Sequence, residues 1–329
     1  MTETKKAHPY LGVFLAMLCG AAWGTTSVSS RYLAFERGVY PPTSVFWRFA
    51  SSLPFLLVAY VLWGKGPRLQ MRDLPKIIWL GALGIFLMAN FNFYSSRYTT
   101  NINSTMIITA SAVLIALIAH FFGEKVTRGQ WAGVILGLAG VALIGFAKSP
   151  KEPNLSLLDH SFGIFLATLA SLSWALYTYL GQSTVAKYGG IRVTVWCITA
   201  GVLMQLVFVA AGALVKGQPF AGPFLPHPSG GSAAGVWAVF IYLGIVPTAI
   251  AFAVWFVAMK HVDVTTLGMG QYVSPVISTA LGWGLLGETI LVWHIFGAAL
   301  IFAGLHFAAR RRPGAADAAH SAEAGALDG

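Results

Sequence analysis

Uncharged polar and aromatic side chains, set at helical spacing inside otherwise apolar segments, are the chemistry this sequence offers. Trp23, Ser27 and Ser30 stand at i, i+4 and i+7, with Thr26 beside them, and Asn90, Tyr94 and Arg97 repeat the rhythm. Ser171, Trp174, Tyr177 and Thr178 make a third such group, Gln271, Ser274, Pro275 and Ser278 a fourth, and Ser104 with Ser111 a fifth. Steps of three and four residues fall on one side of a helix. Counted from the ends of their segments, Trp23, Asn90, Ser111, Trp174, Thr248 and Ser274 lie at one depth, which implies a shared cavity. Trp and Tyr would give it flat walls suited to an organic solute, and hydroxyls and amides would fix the solute's orientation. The candidate lining is Trp23, Asn90, Tyr94, Ser111, Trp174, Tyr177, Gln271 and Ser274, with Arg48 as a candidate for charge recognition.

Each residue type also has a plainer use. Ser and Thr hydroxyls are common glue between membrane helices, worth about 0.6 kcal/mol each. A tryptophan at mid-depth serves as well for packing as for a cavity wall. Arg48 could grip a carboxylate, snorkel outward, or pair with Glu288.

What is absent narrows the chemistry further. None of the eleven acidic residues lies deep in an apolar segment, so no buried carboxylate offers itself as a proton or cation carrier. His120, His294 and His306 lie near segment ends without the spacing of metal ligands, and surface or interfacial roles are expected of them. Cys19 and Cys197 each sit inside an apolar segment, so neither a disulfide framework nor a cysteine metal site is indicated. Nucleophile elbow, phosphate loop and paired intramembrane carboxylates are missing, which leaves catalysis nothing to rest on and calls for no cofactor.

The elements that must position these residues follow from composition. Hydrophobic residues make up 57% of the chain and charged residues 10%, against about 25% charged in a soluble domain. Ten apolar stretches approach the roughly 20 residues that cross a bilayer: 10–33, 43–63, 76–96, 101–122, 129–147, 161–186, 193–215, 234–258, 264–287 and 292–309. The net charge of +10 comes from basic residues between these stretches, not from a stripe that would hold nucleic acid. With the amino terminus inside, 14 of the 21 Lys and Arg residues fall on the cytoplasmic side, which satisfies the positive-inside rule with both termini cytoplasmic. The first span is too long for a signal-peptide core and is expected to stay uncleaved.

The chain also reads as a duplication. FFGEKV (121–126) closes one apolar helix and LLGETIL (285–291) another, each followed by one last apolar helix. Outward from that anchor Trp23 answers Trp174, Trp47 answers Trp196, Gly84-Ile85 answers Gly244-Ile245, and Gly133 and Gly140 answer Gly297 and Gly304. A unit of five crossings is odd, so its second copy enters the membrane upside down, as in many carriers. The expected fold is therefore all-α integral membrane, ten transmembrane helices as two inverted five-helix repeats. Residues 1–9 form a cytoplasmic amino terminus, 10–147 the first repeat, 148–160 an external linker, 161–309 the second repeat, and 310–329 a disordered cytoplasmic tail. Pro54, Pro247 and Pro275 mark expected kinks, and Gly133, Gly137 and Gly140 a close-contact face for internal packing or for a dimer. The Gly-Glu pairs are expected to end their helices, with Glu capping the helix that follows.

Taken together, AAWGTTSVSSRYL, PPTSVFWRF, FFGEKVTRGQWAGVILGLAGVALIG and the echo PVISTALGWGLLGETILVWHIFGAALIFAG resemble the drug/metabolite transporter superfamily, EamA type, over 11–309. One departure is Ser111, where the second copy has Pro275 and family members often carry proline in both. The resemblance implies two inverted five-helix units, a central substrate cavity, and movement of small metabolites, commonly efflux of amino acids or related compounds, across a bacterial inner membrane. The implied partners are a small-molecule substrate and the lipid bilayer, with the protein a monomer or weak homodimer. Alternatives are a broad drug exporter and a membrane sensor that binds without transporting.

Overall fold

The structure, a computed structural model, describes residues 9–64, 66–123, 128–146, 156–215, 217, 219, 222–226, 228, 232–258 and 273–309. Residues 1–8 of the expected amino terminus, most of the 148–160 linker and the 310–329 tail lie outside these, as do Glu124 and Gln271.

The expected spans are helical where described, apart from a turn at Ser51 and Ser52 in the second, a break at Ala110 in the fourth, and the end residues Phe122, Phe146 and Gly287. The helices are α1 (Pro9–Arg31), prolonged by a π-helical turn (Tyr32–Glu36); α2 (Pro41–Ala50, resuming as Leu53–Trp63); and α3 (Leu74–Gly81, a π turn at Ala82–Leu87, then Met88–Tyr98). Next come α4 (Asn101–Thr109 and Ser111–Phe121), α5 (Arg128–Gly145), α6 (Leu157–Tyr188) and α7 (Gly190–Val215). The chain ends with α8 (Ala233–Gly244, a π turn at Ile245–Ile250, then Ala251–Ala258), α9 (described from Val273 to Leu286) and α10 (Val292–Ala309). Six of these stretches are individually long and apolar enough to cross a bilayer. In hydrocarbon no water pairs the backbone, and a helix satisfies its own amides.

The distribution of side chains is that of a protein dissolved in lipid. Phe14, Phe55, Val61, Val207, Ile295 and Phe296 point outward, while Ser30, Ser95, Asn101, Asn103, Ser104 and Ser278 are fully buried. Local signals set the helix ends. Pro41 and Pro42 open α2, where a missing amide costs nothing. Thr100 caps α4 by accepting from Asn103 N at 3.2 Å, and Ser156 with Asp159 forms a capping box on α6.

Glycines show how the repeats are related. A Cβ at Gly140 of α5 would lie 2.6 Å from Gly297 O of α10, and one at Gly304 of α10 would lie 2.6 Å from Gly133 O of α5. The two contacts exchange when Gly133 is matched with Gly297 and Gly140 with Gly304. Two antiparallel helices that exchange so are related by a two-fold axis perpendicular to both, in the plane of the membrane, and the repeats are therefore inverted. The glycine face is used inside the chain.

A second pair corrects the register read from the sequence. Gly81 and Gly244 each immediately precede a six-residue π turn. A Cβ at Gly81 would meet Cys197 O at 2.8 Å, and one at Gly244 would meet Arg48 O at 3.0 Å. Cys197 and Arg48 each follow a tryptophan of the matched pair, Trp196 and Trp47. Gly244 therefore corresponds to Gly81, not Gly84, a shift of one helical turn.

Candidate functional site

Helix breaks and polar groups coincide. In α8, Pro247 has no amide to give to Leu243 O, and the Thr248 hydroxyl takes its place at 2.8 Å. The oxygen of Thr248 then accepts from Arg48 Nε at 3.4 Å. In α3 the corresponding π turn contains no proline, and Asn90 Nδ2 donates at 2.7 Å to Phe86 O, a carbonyl inside that turn. In α4 the helix breaks at Ala110, just before Ser111, although no proline stands there. π turns within α-helices occur frequently at functional sites.

The structure does not bring all the candidate residues together. Trp23 lies on α1 against α8, its ring 5.1 Å from Trp255 and 5.8 Å from Phe252. Beside it, Gly24 lets α1 approach α9 so closely that a Cβ would lie 2.5 Å from Ser274 O. On the other side, Trp174 of α6 lies 5.3 Å from Tyr177, whose ring rests on Gly84 of α3. Ser111 is buried at the start of the second half of α4. Unpaired side-chain oxygens of Thr26 and Ser171, both fully enclosed, sit on the same two tryptophan-bearing helices.

Asn90 and Tyr94 have partners of their own. Asn90 Nδ2 also donates to Gln205 Oε1 at 2.7 Å, while Gln205 Nε2 donates to Pro42 O at 2.9 Å and to Asn90 Oδ1 at 3.3 Å. The reciprocal amide pair ties α3 to α7 and to the start of α2. Tyr94 meets Tyr40 edge to face, with centroids 6.3 Å apart. Gln205 is the residue that sequence reasoning missed, although an amide in the middle of an apolar helix is a signal in itself.

Arg48 is 6% exposed, and its guanidinium lies 4.9 Å from the centre of the Phe49 ring. The pairing with Glu288 considered from the sequence does not form. Glu288 instead accepts from Asn101 N at 2.6 Å and from Ile102 N at 3.1 Å. It therefore caps α4, in the other repeat.

Around this cap runs a buried polar seam at the end of the bundle that holds the α3–α4 turn. Asn101 Nδ2 donates to Ser278 O at 2.8 Å, Thr105 and Ser278 share a hydroxyl bond at 2.7 Å, and His294 Nε2 lies 2.7 Å from Asn103 Oδ1. Ser30 and Ser96 share a bond at 2.7 Å, and Arg31 Nη1 donates to Ser96 O and Thr99 O at 2.9 Å each. Arg31, counted from the sequence as an external charge, is 1% exposed, and His294, expected at an interface, is also 1% exposed. Both are enclosed because they complete hydrogen bonds between helices that would otherwise be left open.

Comparison with known proteins agrees with this architecture. The model of the EamA-like transporter family matches residues 10–146 and again 161–310. An uncharacterized transporter of Archaeoglobus fulgidus is 30% identical over 81% of this chain and 86% of its own length. The uncharacterized inner membrane transporter YedA of Escherichia coli K12 is 26% identical over 90% of this chain and 89% of its own. A probable terminal-alkyne amino-acid exporter of Streptantibioticus cattleyicolor is 26% identical over 80% and 82%. One solved crystal structure superposes with a TM-score of 0.59 at 22% identity, over 90% of this chain and 97% of the other, which speaks for the fold alone. Two family matches laid over two inverted helical units leave one conclusion: the chain belongs to the EamA-like transporter family and is a multi-pass membrane transporter, not an enzyme.

Proposed function

We propose that this protein is a secondary transporter that exports a small organic metabolite, an amino acid or related compound, by alternating access around a cavity at mid-membrane. The observation that carries the reading is the placement of Trp23 and Trp174 at matched positions in the two repeats, each beside a glycine-mediated helix contact. Trp23, Ser111, Trp174, Tyr177 and Ser274 supply aromatic wall and hydroxyls on four helices. Asn90 and Tyr94 support that wall from α3 through Gln205 and Tyr40. The breaks in α3, α4 and α8 supply points where one repeat can rock against the other. Export of an amino-acid-like compound is favoured by the similarity to the probable amino-acid exporter of Streptantibioticus cattleyicolor. The proposed site of action is a bacterial inner membrane, both termini cytoplasmic, with the chain acting as a monomer or weak homodimer.

The test is substrate counterflow in proteoliposomes loaded in turn with amino acids, nucleosides and vitamins. Saturable exchange of amino acids supports the proposal, exchange confined to nucleosides or vitamins would overturn its substrate class, and binding without exchange would assign the chain a sensing role. Repeating the assay with and without a proton gradient separates it from a proton-driven drug exporter.

A further inference from the structure

Arg31 and Arg48 are both buried, and their surroundings differ in kind. Arg31 is held by two carbonyl oxygens and lies 3.6 Å from the Phe35 ring centre. Arg48 spends a single donor, Nε, on Thr248. A guanidinium carries five N–H donors. The four on Nη1 and Nη2 of Arg48 have no acceptor and no carboxylate partner among the described residues. Arginine does not shed its proton to escape burial, and an unpaired buried charge is strongly disfavoured.

The local chemistry shows how this state is held. Pro247 frees Leu243 O, the Thr248 hydroxyl donates to it, and the lone pair that remains on Thr248 Oγ1 faces Arg48 Nε. Nε is thereby turned toward Thr248, which orients the guanidinium and leaves its Nη1–Nη2 fork without an acceptor among the described residues. Two parallel N–H groups at that spacing match the two oxygens of a carboxylate. The residues that place the fork belong to α2 and to the π turn of α8, so it sits where a helix of the second repeat is already broken.

We propose that Arg48, oriented by Thr248, is the subsite that takes the carboxylate of the transported solute, so that the carrier selects carboxylate-bearing metabolites over neutral and cationic ones. This rests on the transporter reading above and adds which group of the solute is recognised and by which residue. It has a kinetic consequence. Occluding the empty carrier seals an unpaired cation away from water, whereas occluding the loaded one seals a neutral pair, so carboxylate on the far side should speed the return step.

The test uses the full-length protein in lipid nanodiscs, with acetate, benzoate and L-leucine set against acetamide, benzamide and L-leucinamide in thermal-shift titrations. The expected result is stabilisation by the acids and none by the amides, with the acid response weakened about tenfold or more by Arg48→Gln and less by Arg48→Lys. Should Arg48→Gln not fold, Thr248→Val, which keeps the charge and releases Nε, should still weaken the acid response severalfold. Equal responses to acids and amides, or an acid response unchanged in these variants, would overturn the subsite. Counterflow in proteoliposomes separates the two readings. Exchange of neutral or cationic solutes but of no carboxylate would sink the subsite and leave the transporter standing. Arg48-dependent acid binding with no exchange of any solute would do the reverse.

Discussion

Glu288, at the end of α9 in the second repeat, closes the amino-terminal end of α4 in the first, its Oε1 lying 2.6 Å from Asn101 N. The first turn of a helix leaves amides unpaired and carries partial positive charge, so a carboxylate there satisfies both. Asn101 and Ile102 are fully buried, and no water competes for the bond.

Removing that carboxylate should therefore be costly. Glu288→Ala strands two buried amides, each worth about 1–3 kcal/mol when left open, and should lower the melting temperature of the detergent-solubilised protein. Glu288→Gln, which keeps one acceptor, should fall between. A melting curve of Glu288→Ala that overlies wild type would show that the cap contributes nothing.

The α5–α10 seam gives a second expectation. Gly140→Val would push a side chain into Gly297 O and Ile301, while a Cβ at Gly284 on α9 meets nothing within 4 Å. Overpacking of this kind costs about 1–3 kcal/mol or more, so Gly140→Val should reduce the yield of monodisperse protein and Gly284→Val should not. Size-exclusion profiles of both variants decide it, and equal profiles would remove the close crossing from the account.

The sequence carries the spans, the duplication and the glycine seam because each rests on local composition or a repeated motif. It does not carry contacts between distant helices. The partner of Glu288 lies 187 residues away, and nothing in LLGETIL distinguishes a cap on the next helix from a cap on α4. The pairing of Gly84 with Gly244 came from two identical Gly-Ile dipeptides, and a shift of three residues keeps the same helix face, so periodicity alone could not reject it. Arg31 follows the polar run of α1 and reads as a boundary charge, although the carbonyls of α3 draw it inside. Asn90 was legible as a buried amide, but its partner Gln205 required the packing of α3 on α7.

That pair yields a third expectation, in the form of a cycle. Asn90→Leu should leave the Gln205 amide without its reciprocal bonds, and Gln205→Leu should do the same to Asn90. Each single change should destabilise by about 1–3 kcal/mol. The double variant removes both polar groups together and should cost less than the sum, because residues in one hydrogen-bond network are not additive. Additive melting shifts would mean that the two amides act independently.

Trp174 and Tyr177 provide the sharpest test of the aromatic wall, because the structure offers two ways to disturb it. Trp174→Ala deletes a ring whose centroid lies 5.3 Å from Tyr177. Gly84→Ala deletes nothing, but its new Cβ would run into the Tyr177 ring and displace it. If these rings contact the solute, both variants should lower counterflow by about tenfold or more, a loss of roughly 1.4 kcal/mol or more, while the amount of folded protein in the membrane stays near wild type. Trp23→Ala, on the opposite repeat and packed on Trp255, should behave in the same way if the cavity is shared between the halves. Counterflow that falls only in proportion to folded protein would return all three residues to packing. A loss confined to Trp174→Ala and Gly84→Ala would place the solute against α3 and α6 alone.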